Sequence, residues 1–452
     1  MSTKQSIYEE IIIESNDQKK TVDMKVGTVS IDYYEDIFSP VITAKLRVVN
    51  GGDTVSPSDS DGNADGDKQS IYNGLPLRGA ERVSIKIKGN SNTNKGLDFS
   101  TDPSKYLYVS SISDVISDTQ RESFTLHLVS REAFTNETSR VGKKYPVTAT
   151  IDEAVNDILK NYLKTNNIGT IEKSSNKYGF IGNMRKPFTV LVWLASKAAP
   201  NSSGDATAGF LFYQTQDGFQ FRSLDNLISQ DSKAEYSFTE VNQSSTEFEG
   251  TADLPSNDFK ILSYVTEQNQ NLIEKLRMGT YSSYRIFYNP LTFEFTNPQK
   301  GLFTSDNYAG KTKNLGKTVT LPKIGGDSNE DLGTTPTRFL TAILDVGTMD
   351  KDISTDVNAE PEKYQSQAIM RYNLMFTQAL SMTVPLNTNL KAGDIITCKF
   401  PTISRSNKEE YDKDQSGLYM IKEICHHFDS TASYTSMKLI RDTFGRYGTN
   451  NK

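Results

Sequence analysis

The sequence predicts a mainly β, α+β protein built on two antiparallel β-barrels, and three observations carry that prediction. Text alternating apolar with polar residues fills the stretch from Ile7 to Val129, most cleanly in Val83–Lys88 and Ser123–Leu128. The same period of two returns at the end of the chain in Ile395–Phe400, Leu418–Phe428 and Tyr434–Leu439. Helical spacing occurs only in short stretches between the two. A period of two sets one face of a strand on a core and the other in water, which is how a half-buried antiparallel sheet is written.

Taken in order, residues 1–130 are expected to form the first barrel and 131–204 a small helical domain. Within the latter a helix is expected over Ile151–Lys164. Thr150 and Glu153 have capping-box spacing, Asp152 and Glu153 suit the positive end of the helix dipole, and Ile151, Val155, Ile158, Leu159, Tyr162 and Leu163 make one apolar stripe. A second helix starts at Pro187, carries Phe188, Leu191, Val192 and Ala195, and reaches Ala199 before Pro200–Gly204 breaks it.

The hairpin Gly209–Tyr213 and Gly218–Arg222, turning across Gln214–Asp217, is expected to open the second barrel over 205–232. Residues 233–365 then read as an inserted mixed α/β domain. It holds one amphipathic helix through Phe259, Leu262, Val265, Leu272, Ile273 and Leu276, ended by Gly279, and a strand pair around Asn289–Thr292. The barrel resumes at Asn373–Thr383 within 366–446, and 447–452 is a tail. Its last three strands follow turns at Ala392–Asp394 and Gln415–Gly417, where Gly and Asp tolerate left-handed backbone. Ile395, Thr397 and Lys399 share one face against Ile396, Cys398 and Phe400. Ile395, Phe400, Leu418, Ile421, Ile424 and Leu439 are expected to be buried.

At 452 residues the chain exceeds a usual domain of about 100–200 residues, so two to four domains are expected. A net charge of -6 argues against a protein that grips nucleic acid, since such grip comes from Lys and Arg on phosphates. No run approaches the roughly 20 apolar residues of a membrane helix. The best is Phe188–Ala195, and the N-terminus lacks a basic region followed by an apolar one. The chain is therefore expected to stay in the cytoplasm where it is made, unless a particle carries it out. Cys398 and Cys425 are too few for a disulfide framework and read as reduced thiols.

Several constellations imitate chemistry. Cys425, His426 and His427 are consecutive, and neighbouring strand residues point to opposite faces, so they cannot converge on one metal ion. Ser305–Thr312 resembles a phosphate-binding loop, yet Ser305 stands where Gly is required and no helix follows. Neither a nucleophile elbow nor a paired-His metalloprotease motif is present, so no catalytic residue and no cofactor is expected. The strongest ligand signal is Asp61-Gly-Asn-Ala-Asp-Gly-Asp67. It sets Asp61, Asn63 and Asp65 at alternate positions with Gly66 at the turn and Asp67 behind it, as a calcium loop would. Tyr72 occupies the place of the bidentate Glu, which leaves an Asp/Gly loop between barrel strands as the plainer reading.

The stretch Leu390–Phe444 resembles the second tube-type barrel of the baseplate hub proteins of contractile-tailed phages, the myovirus tail hubs. Tyr33–Val49, with its Glu-Asp-Ile-Phe-Ser-Pro segment, is similar to the first such barrel. Gly74–Val83, Leu128–Glu137 and Ala208–Ser223 follow in the family's order. The resemblance implies a structural hub subunit of the tail baseplate in the virion. Such a subunit forms a homotrimeric ring of approximate sixfold symmetry that joins the central spike protein to the tail tube protein. It also touches other baseplate proteins, and DNA passes through its channel without specific binding or membrane insertion. Two alternatives stand beside it. A cell-wall or carbohydrate-degrading tail enzyme would need an acid pair in 233–365. The related hub of a bacterial secretion spike would carry a fused spike, for which the sequence after Phe444 has no room.

Overall fold

The computed structural model describes residues 5–55, 67–75, 77–90, 94–201, 207–238, 258–297, 301–304, 314–317, 321–323, 331–346, 358, 360–402 and 411–445. The first eight strands are β1 (Ile7–Glu14), β2 (Thr21–Asp23), β3 (Thr28–Asp36), β4 (Thr43–Gly51), β5 (Arg82–Lys88), β6 (Leu97–Asp98), β7 (Leu107–Ser117) and β8 (Arg121–Ser130). Their alternation decides what they bury. In β4, Ala44, Leu46 and Val48 are buried while Thr43, Lys45 and Arg47 are exposed. Ile31 and Tyr33 of β3 and Phe124, Leu126 and Leu128 of β8 join them in one core. Burying each large side chain there is worth about 1.5–3 kcal/mol.

The small domain contains β9 (Lys144–Tyr145), β10 (Ile168–Ile171) and β11 (Phe180–Ile181). Its first helix begins at Ile151 with the expected capping box between Thr150 and Glu153, and Ile151, Val155, Ile158, Leu159 and Leu163 are buried. After Asp157 the helix widens into a π turn over Ile158–Tyr162, and Lys164, at φ 51, ends the run. The second helix, Pro187–Ala195, stops four residues short of the expected Ala199.

The hairpin β12 (Phe210–Thr215) and β13 (Gly218–Ser223) forms as expected, but elsewhere than expected. β13 pairs in parallel with β10, making a three-stranded sheet apart from the large one. Phe210, Phe212, Phe219 and Phe221 pack with the small domain's helices, while Leu211 and Tyr213 face Ile395, Met420 and Ile440. A strand pair apolar on both faces fits between two layers, and alternation cannot say which layers those are.

The remaining strands are β14 (Glu235–Ser237), β15 (Ser263–Asn269), β16 (Ser282–Tyr288), β17 (Leu302–Thr304), β18 (Arg338–Ile343), β19 (Gln378–Pro385), β20 (Ile395–Lys399), β21 (Gly417–Asp429) and β22 (Ser433–Arg441). The amphipathic helix expected from Phe259 is a correction. Residues 263–269 are strand β15, paired antiparallel with β19, and only Leu272–Arg277 is helical. The three-residue spacing of Phe259, Leu262 and Val265 yields to sheet pairing, Gln270 at φ 80 separates the two elements, and Gly279 at φ 68 closes the helix. Asn373 and Leu374, expected in a strand, end the helix Pro361–Leu374 instead. That helix is pinned by the buried Arg371, which donates to Asp225 at 2.8 Å and to Asp442 at 3.3 Å.

The largest departure concerns the barrels. Fourteen strands form one sheet whose main path runs β15-β19-β22-β21-β3-β4-β8-β7-β5-β1-β2, and among the described residues that path does not close on itself. The two halves are joined edge to edge where β21 pairs antiparallel with β3. Of the terminal residues expected to be buried, Ile395, Phe400, Ile421, Ile424 and Leu439 are, whereas Leu418 is only partly covered.

Candidate assembly interface

The seam between the halves rests on one long strand with two partners on the same side. Residues 417–420 of β21 pair with β20, and residues 423–429 pair with β3. A register shift between Ile421 and Glu423 makes the change of partner possible, since a bulge bends and twists the strand that carries it. At the bulge the Lys422 carbonyl accepts from the Ile37 N–H at 3.0 Å, and its ammonium pairs with Asp36 at 3.1 Å.

Consecutive residues of β21 treat the two faces differently. His426 is fully buried and stacks on Tyr33, ring centroids 6.1 Å apart. Burial pushes its pKa down to about 4. The neutral ring donates from Nε2 to the Leu390 carbonyl at 3.3 Å, so its Nδ1 accepts from the Thr435 hydroxyl at 3.0 Å. His427 points to the other face. There its Nδ1 lies 2.5 Å from Asp32 of β3 and its Nε2 3.2 Å from Asp429. The hydrogen bond to Asp32 is the chief reason that its pKa is raised.

Beneath the seam, Glu35 joins three parts of the chain. Its carboxylate accepts from the Tyr33 hydroxyl at 2.8 Å, from the Gln216 N–H of the β12–β13 turn at 2.7 Å, and from the Ala392 N–H before β20 at 2.9 Å. Burial pushes its pKa up to about 7, against the pull of those three donors. Sequence reading passed over Glu35 as part of an acidic segment. The available signal was its position: in Tyr33-Tyr-Glu-Asp it falls on the inward side of an alternating strand, where a carboxylate must find donors.

Seen along the main path, each half contributes four successive antiparallel strands to a common wall: β15, β19, β22 and β21 from one, β3, β4, β8 and β7 from the other. Both ends of this wall are open among the described residues. β15 pairs only with β19, and β7 beyond Val109 pairs only with β8. Val265 on one open edge is 64 % exposed and Ile116 on the other 70 %. The wall's solvent face is largely hydroxyl-bearing, with Ser381, Thr383, Ser436, Thr43 and Ser123 on it, and carboxylates answer cations there, as Glu423 does Lys438 at 3.0 Å.

The structure separates the other candidates. Asp61, Asn63 and Asp65 lie outside the described residues, and Asp67 is exposed. Tyr72 is half-buried, its N–H donating to Glu122 at 3.0 Å. Ser305–Thr312 also lies outside the described residues. Among those described, no group of three His, Cys, Asp or Glu side chains could hold a metal ion. Cys398 and Cys425 are free thiols on different strands, with Cys398 opposite Gly417 and Cys425 eight residues farther along β21.

No family model matches the chain, and no curated protein does. Solved structures do. A tail protein of Neisseria meningitidis is similar with a TM-score of 0.51 at 10% identity, over 96% of this chain and 96% of that one. A 43 kDa prophage tail protein of Shewanella oneidensis follows at 0.48 and 10%, covering 96% and 98%. A component of the type VI secretion system of E. coli gives 0.40 and 8%, covering 93% and 76%. Over 96% of its length the chain therefore has the fold of the Neisseria meningitidis tail protein.

Proposed function

We propose that the chain is the structural hub subunit of a contractile phage tail baseplate, three copies of which close a ring between the central spike and the tail tube. The observation that carries this reading is the wall of four plus four strands. Direction alternates at every step, so both four-strand units begin with strands of the same sense and end with strands of the opposite one. The internal joint sets the last strand of one unit, β21, beside the first strand of the other, β3. Repeating that joint between copies sets β7 of one copy beside β15 of the next, again antiparallel. A heterologous contact repeated around an axis gives a closed ring when its rotation closes, here after three copies.

In such a ring the two units of one chain alternate around the axis, giving threefold symmetry and approximate sixfold symmetry at once. A threefold spike and a sixfold tube could then each find matching contacts. The hydroxyl-rich solvent face would line the channel; Lys438 there is paired to Glu423 while Lys45 and Arg47 are exposed, and the net charge of -6 leaves DNA little overall attraction to the chain. Residues 1–130, β15 and 366–446 supply the ring, while 131–204, the hairpin within 205–232 and the rest of 233–365 flank it. The location that follows is the virion's tail baseplate, after synthesis in the host cytoplasm. The reading needs no catalytic group, no cofactor and no calcium at Asp61–Asp67. Native mass measurement and electron micrographs of the purified full chain test it. Three copies around a central hole are expected, and a stable dimer, or a compact monomer at every concentration, overturns it.

A further inference from the structure

The small domain differs in charge from the rest of the molecule. Residues 131–204 carry eleven Lys and Arg against six Asp and Glu, in a chain whose totals are 50 against 56. On this domain the segment after β11 and the helix Pro187–Ala195 border a groove of about 120 Å³, lined by Phe180, Ile181, Asn183, Arg185, Val190 and Trp193. Ile181 is exposed, and Met184, between two lining residues, is 67 % exposed.

The backbone holds Met184 there at a cost. Asn183 and Met184 are both left-handed, at φ 49 and 54. Asn tolerates that conformation through local hydrogen bonds, but Met has no such compensation. Its sulfur lies over Gly142, where a Cβ would come within 2.8 Å of it. An apolar side chain is thus kept in water by strained backbone, a combination that persists where function requires it.

Arg185 beside it is exposed, and its guanidinium has no carboxylate partner among the described residues. The neighbouring carboxylates are engaged: Glu137 with Lys186, and Asp157 with Lys143 at 3.1 Å and the Tyr145 hydroxyl at 2.7 Å. The groove therefore offers apolar surface next to an unanswered positive charge.

We propose that this groove docks an acidic segment of another protein, with an apolar side chain entering beside Met184 and Ile181 and a flanking carboxylate pairing with Arg185. A nucleic acid fits less well. The partly buried Trp193 is already engaged, with Phe180 edge-on at 5.5 Å, Tyr178 at 5.2 Å and the Lys197 ammonium over the ring at 5.2 Å, which leaves a base little room to stack. Phosphates would also gain nothing from Ile181 and Met184.

Trp193 is the sole tryptophan of the chain, so its fluorescence reports directly on the groove. The full chain is titrated with a synthetic peptide bearing a Leu-Phe pair flanked by Asp and Glu. A saturable change in Trp193 emission is expected, weakened about tenfold by Arg185→Glu and by Met184→Asn. Because Asn suits left-handed backbone, Met184→Asn should keep or raise the melting temperature while losing the peptide, the reverse of what a purely structural Met184 would do. No saturable change would overturn the proposal. So would equal affinity for the same Leu-Phe peptide flanked by Lys instead, or for an oligothymidylate. Loss of self-association in Arg185→Glu would assign the groove to a second copy of the chain, and overturn it equally.

Discussion

The two halves of the large sheet differ in burial at one end. In the first half one core gathers the inward residues of all eight strands, and the other face stays wet, so β4 reads as strict alternation. In the second half the sheet is covered on both sides at one end, while Ser381, Thr383, Ser436 and Lys438 farther along keep their side open. Leu439 and Ile421 belong to a core with Leu380 and Ile396, whereas the neighbouring Ile440 and Met420 pack against the hairpin through Leu211 and Tyr213. Consecutive residues are therefore both interior, as at Ile395 and Ile396. A strand shows its pattern in the sequence only where one of its faces meets water.

The sharpest way to break this comparison is through the groups that hold the second half's extra layer in place. Arg371→Ala leaves Asp442 buried without its cation and should cost about 3–5 kcal/mol in chemical denaturation. A cost near zero would show that the helix Pro361–Leu374 is not anchored there. Next come matched truncations in each half. Leu46→Ala and Ile421→Ala should each cost about 2–5 kcal/mol, since both side chains are fully buried. Leu418→Ala, at a partly covered position, should cost visibly less than Ile421→Ala, and equality of the two would erase the distinction between layers.

Smaller effects sharpen the seam itself. Glu35→Gln puts an amide donor against one of the three donors that the carboxylate now satisfies, and should cost about 1–3 kcal/mol. Because its folded pKa is raised to about 7 from 4.5, Glu35 contributes most below the unfolded value, and that contribution is lost as pH rises through the folded one. The stability gap between wild type and Glu35→Gln should narrow across that window, and a gap that widens would overturn the assignment. His427→Asn should have the smallest effect. The raised pKa of His427 makes its bridge to Asp32 and Asp429 strongest below the unfolded value of 6.5, weakening as pH rises through the folded one. Melting temperatures of the two proteins should therefore converge at alkaline pH.

Much of this was legible in the residues. The capping box at Thr150 and Glu153, the three terminal strands and the opposed directions of His426 and His427 follow from spacing alone, because each is settled within a few residues of chain. What could not be read was the assignment of partners. The hairpin Phe210–Ser223 carries apolar residues on both faces, so nothing local says that it belongs with β10. β15 looked helical because its outer residues are sparse on an open edge and its strand character comes from β19. The node at Glu35 depends on backbone N–H groups 181 and 357 residues away, beyond any local pattern.

The seam also has a consequence in time. The bridge from Asp32 to His427 spans 395 residues, so the β3 edge is synthesised near the start and its partner near the end. At ribosomal speeds of about 5–20 residues per second, roughly 20–80 s separate the two. Throughout that interval β3 is an unpaired edge on the emerging chain. Only a chain translated through β21 can cover it, so a product truncated before β21 would keep that edge exposed.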